Sequence, residues 1–104
     1  MKTEAFELEY GVLYQDTLHF HGEVRLNNLQ DEIDLDQGDG FRKVDLLAKA
    51  VVRLGDIPAE ARDGDFLAVE VEPEDYARIA EAQERLKKKR KALRTASGAS
   101  APSA

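Results

Sequence analysis

Residues 6–26 read FELEYGVLYQDTLHFHGEVRL, and the alternation in this stretch decides the fold. Phe6, Leu8, Tyr10, Val12 and Tyr14 recur at every second position. After Gln15-Asp16-Thr17 the alternation resumes, with Leu18, Phe20, Val24 and Leu26 on one side and His19, His21, Glu23 and Arg25 on the other. A period of two marks strands with one buried face, so residues 4–26 are expected to form an antiparallel β-hairpin. A three-residue loop, Gln15 to Thr17, sets Tyr14 against Leu18, Val12 against Phe20, Leu8 against Val24 and Phe6 against Leu26. All the apolar residues then share a face. A two-residue loop would put Glu7 opposite Val24 and scatter them, so the longer loop is the better reading. A lone hairpin is marginal in water, so its apolar face needs a helix or another subunit over it.

Downstream, the pattern turns helical. Asn27 or Asn28 can cap a short helix through Leu29, Ile33 and Leu35. The DLDQGDG segment, Asp34 to Gly40, reads as a loop. Phe41, Val44, Leu47, Val51 and Leu54 then recur at spacings of three and four, predicting a helix over 41–54 that Gly55 would terminate. Residues 55–65 are turn-rich, and Phe66 to Val71 is expected to be extended. Pro73 suits the first turn of a last helix, with Glu74 and Asp75 at its positive end. Tyr76, Ile79, Ala80, Gln83 and Leu86 give that helix one semi-apolar stripe. The fold class is therefore α+β: an N-terminal antiparallel hairpin, a small set of helices, a long C-terminal helix and a disordered tail. Residues 1–94 are expected to be one domain and residues 95–104, small and polar, the tail.

The chain has 104 residues, 42% apolar and 35% charged, enough for one domain. Of its 15 basic residues six fall at Lys87, Lys88, Lys89, Arg90, Lys91 and Arg94, so residues 1–86 hold nine bases against all 21 acids, a net charge of −12. Such a body repels phosphates, and nucleic acid is not an expected partner. No apolar run approaches the roughly 18 residues of a membrane span, and the N-terminal MKTEAFELEY has no signal-peptide core, so a cytoplasmic protein is expected.

The chemistry-bearing residues are sparse. With no cysteine there is no thiol nucleophile, disulfide or cysteine-held zinc. The serines, Ser97, Ser100 and Ser103, all sit in the tail, where no base could be held beside them. Neither GxGxxG nor GxxxxGK occurs. His19 and His21, with Glu23, could begin a metal site, but the wet face of the hairpin explains them with less. The DLDQGDG segment fails the calcium-loop spacing at Gly38 and Asp39. The Lys87 to Lys91 run has no interleaved aromatic and reads as a solvated helix end matched to the helix dipole. No enzyme, cofactor or metal is expected.

The order of elements, together with FELEY, TLHFHGEVRL, DEIDL, DLLAKAVVRLGDIP and EPEDYARIAEAQERL over residues 4–86, resembles the tail assembly chaperones of contractile-tailed, Mu-like bacteriophages. Asn27-Asn28 departs from that pattern, standing where family members often carry a Pro-Thr or Thr-containing turn. The resemblance implies a non-enzymatic protein of the host cytoplasm, absent from the mature virion. It would coat the helical tape measure protein while the tail tube polymerises. Self-association is left open. Phe41, Leu47 and Val51 are the candidate partner-binding residues, together with the exposed side of the hairpin. The resemblance also implies a longer product made by a −1 ribosomal frameshift, for which the Lys-Lys steps of Lys87, Lys88 and Lys89 are the candidate region. A small acidic regulator or nucleic-acid mimic acting on a host protein is the alternative, and a generic adaptor domain a third.

Overall fold

The computed structural model describes residues 3–36 and 40–96. Its elements run β1 (Thr3–Tyr14), β2 (Thr17–Arg25), α1 (Leu29–Leu35), α2 (Lys43–Ala50), β3 (Val51–Leu54), a 3-10 turn (Ala59–Ala61), α3 (Gly64–Glu70) and α4 (Pro73–Ala96). The fold is α+β, as expected. The three strands form one antiparallel sheet in the order β1-β2-β3.

The hairpin exists, but its register corrects the expected one. Tyr14 pairs with Thr17, leaving a two-residue turn at Gln15 and Asp16, both with positive φ (50° and 63°). That geometry matches the right-handed twist of the flanking strands, whereas a longer loop would relax it. Leu13 therefore faces Leu18, and Val12 faces His19. Nearer the base, Phe6 pairs with Gly22 and Glu4 with Val24. The irregularity lies between Glu7 and Val12, where β1 carries extra residues including Gly11 at φ 83°. A bulge in mid-strand, rather than a longer turn, shifts the pairing by three residues, so that Phe6 shares a face with Val24 of β2 and both enter the core.

Two further expectations are corrected. The helix read over 41–54 stops at Ala50, and Val51–Leu54 is a third strand on β2. The β-branched Val51 and Val52 are well suited to a strand, and a hairpin gains more from a third strand than from another turn of helix. Gly55 has the left-handed φ (54°) of a terminator, but it ends the strand. Phe66 to Val71 is not extended: Asp63 accepts a hydrogen bond from the Phe66 N–H (2.8 Å) and starts α3 there. The capping reading of α1 holds, since Asn28 accepts from the Asp31 N–H at 3.0 Å. α4 begins at Pro73 as expected and runs two residues into the segment read as a tail; Ser97 to Ala104 lie outside the described residues.

The long helix completes the hairpin. Asp75, Ile79, Ala82 and Leu86 are spaced four, three and four apart and are all buried, a single stripe facing the sheet. Ile79 and Ala82 join Phe6, Leu8, Val12 and Val24 in the core. Polar residues beside that stripe seal the outer strand. Arg85 donates to the Ala5 carbonyl and Arg78 to the Glu7 carbonyl, each at 3.2 Å. Asp75 takes the N–H groups of Glu9 (2.7 Å), Tyr10 (3.1 Å) and Gly11 (3.0 Å). These are the groups that an uncovered edge strand offers to other chains. On the opposite edge, Arg62 donates to the Val51 carbonyl at 3.0 Å. Side chains of the same chain thus occupy backbone groups on both edges of the sheet.

Candidate interaction surface

The three residues put forward for partner binding separate. Leu47 and Val51 are each 4% exposed and belong to the core, where α2 and β3 meet the rest of the molecule. Phe41 precedes α2 and is exposed. The stripe from which these residues were read is mostly a core stripe, and of the three only Phe41 is accessible from outside.

The exposed side of the hairpin, also put forward for partner binding, carries two residues that were not singled out. Leu13 and Leu18 are directly opposed across the two-residue turn, and each is about half exposed (49% and 50%). Leu13 follows the wet parity of β1, and an isolated leucine there was the one signal available. Leu18 was expected to point inward; the bulge and the short turn rotate it out. Tyr10 is also half exposed, lifted out of the core by the same bulge. Its hydroxyl meets the Glu74 carboxylate, which pushes the Tyr10 pKa up.

His19 and His21 have different surroundings. His21 is exposed, while His19 is half buried with its ring against Gly55, and its Nδ1 accepts from the Asp56 N–H at 3.4 Å. Only part of that strand face is therefore wet. Among the described residues, no group of three or more His, Asp or Glu side chains gathers to hold a metal ion. The DLDQGDG loop cannot be placed, because residues 37–39 lie outside the described residues.

Charge is organised into pairs around the helices. Arg25 meets Asp31 with both ends of its guanidinium (2.8 and 2.9 Å), and Asn27 and the Asn28 N–H also donate to that carboxylate (3.0 and 3.1 Å). The Arg25 bond, ahead of the opposing effect of burial, holds the Asp31 carboxyl far below its usual range. Gln83 donates to the Arg25 carbonyl and to Asn27, tying this junction to α4. In the basic segment, Lys89 reaches Glu4 at 2.7 Å and Lys87 reaches Glu84 at 3.3 Å. With Arg85 beside it, the Lys89 contact lowers the pKa of Glu4. From Lys87 to Arg94 every side chain is exposed.

Compared with protein-family models, with curated proteins and with solved structures, the chain matches none. No helix among the described residues is long and apolar enough to cross a membrane.

Proposed function

We propose that this protein is a phage tail assembly chaperone that binds helical segments of the tape measure protein and keeps them soluble during tail tube assembly. The observation that carries the reading is the opposed Leu13–Leu18 pair at the end of the hairpin. Two leucines left half exposed on an acidic body suit the apolar stripe of a partner helix laid across the turn. Phe41 is a second apolar contact of the same kind. The net charge of −12 over residues 1–86 would then keep the loaded complex dispersed. The role is one of binding, carried out in the host cytoplasm, with the protein left out of the finished virion. A frameshift at the Lys87 to Lys89 codons would add a longer form, and the gene sequence tests it: codons that cannot slip back one base remove that form.

Co-expression with the tape measure protein encoded nearby tests the function. The reading expects that long helical protein to move from the pellet to the soluble fraction and to co-purify with this chain. A tape measure protein that stays insoluble, or a genome segment with no such gene, overturns it.

A further inference from the structure

α1 presents an uncovered apolar edge. Leu29 is 72% exposed and Ile33 56%, one turn apart, with the exposed Glu32 on the same side of the helix. The helix cannot roll to bury them, because Asp31 on its inner side is fixed by Arg25, Asn27 and the Asn28 N–H. At the far end of α4 lies a groove of about 420 Å³ between that helix and the β2–α1 connection. Its apolar lining is Leu26, Leu86 and Leu93, and Arg90 stands beside them. Leu86, Arg90 and Leu93 share one side of α4 by their spacing of four and three. Leu93 remains 52% exposed.

We infer that the groove receives α1 of a second copy of this chain, with Leu29 and Ile33 against Leu26 and Leu93 over the buried Leu86 floor, and Glu32 meeting Arg90. Charge complementarity selects this occupant. The chain carries a net −12 over residues 1–86 and six bases with no acid over residues 87–94, so the acidic body of one copy is drawn to the basic helix end of another. At short range the same two signs recur beside apolar side chains: an acid next to Leu29 and Ile33, a base next to Leu26 and Leu93. The contact is small, so the association is weak, reversible and salt-sensitive. It uses neither Leu13 nor Leu18 and does not depend on the chaperone reading.

Sedimentation velocity on the full chain tests it. Self-association is expected at low salt and loss of it at high salt. Ile33→Glu and Leu93→Glu should each weaken it by roughly tenfold or more while leaving the circular dichroism spectrum unchanged, since both side chains are exposed. An equimolar mixture of the two variants should recover a two-chain species, because each keeps the half the other has lost. Glu32→Arg should weaken association, and Arg90→Glu added to it should restore it. A wild-type chain that is monomeric at every concentration in low salt, variants that associate as the wild type does, or a mixture that stays monomeric would each overturn the contact.

Discussion

The carboxylate of Asp75, in the first turn of α4, accepts the backbone N–H of Gly11 at 3.0 Å across 64 positions of sequence. With the Glu9 and Tyr10 N–H groups on the same carboxylate, one buried side chain receives three successive donors of a β1 bulge that no strand serves. The bulge and the start of α4 are therefore one feature. Without the bulge, the two-residue turn would set Glu7 opposite Val24 and put Phe6 on the other face from Val24. Without Asp75, three buried or half-buried N–H groups would be left unpaired.

Asp75→Ala should accordingly cost about 3 kcal/mol or more, because each donor left unsatisfied carries its own desolvation penalty. Asp75→Asn should recover only part of this, since its amide group points donors at donors. Urea denaturation of the two variants measures it. A loss below about 1 kcal/mol for Asp75→Ala would show that the bulge is held by something else.

Gly22 tests the third strand. A Cβ at Gly22 would run into the Arg53 carbonyl of β3 and the ring of Phe6. Gly22→Ala should destabilise by about 2 kcal/mol through overpacking. If residues 41–54 formed one helix, no β3 carbonyl would lie there, and the added methyl would meet only the Phe6 ring, at a smaller cost. Thermal and urea unfolding of this variant separate the two arrangements.

Most of the architecture could be read from the chain, and what could not has a common physical cause. The α1 cap at Asn28 and the Pro73 start of α4 are local signals, readable within a few residues. The turn at Gln15-Asp16 carries no glycine or asparagine to announce its positive φ, so face-counting misplaced the slip that the bulge absorbs. Val51 and Leu54 continue a helical spacing as well as they fill a strand, and only the free edge of β2 decides between the two. Asp75 reads as an ordinary acid at a helix start; its three partners lie more than 60 residues away. For the candidate surface the same ambiguity applied: Leu47 and Val51 could be core or contact, and burial places them in the core.

The Arg25–Asp31 junction gives a pH dependence of defined sign. The Asp31 carboxyl is held below its unfolded value of about 4, so its stabilisation is fully present above that pH and is lost as the pH falls toward the folded value. Asp31→Asn should cost about 2 kcal/mol near neutrality and flatten the fall in stability between roughly pH 5 and 2. Urea midpoints measured across that range decide it. Parallel curves for variant and wild type would show that the junction contributes nothing to acid sensitivity.

The chaperone reading rests on the hairpin tip, and the most direct measurement is co-purification of the tape measure protein with the Leu13→Asp, Leu18→Asp double variant. Both side chains are half exposed, so the variant should keep its fold, with stability within about 1 kcal/mol of the wild type. The account predicts that the folded variant leaves the tape measure protein in the pellet while the wild type carries it into solution. A folded variant that solubilises and retains it as well as the wild type does would contradict the claim that this leucine pair is the binding surface.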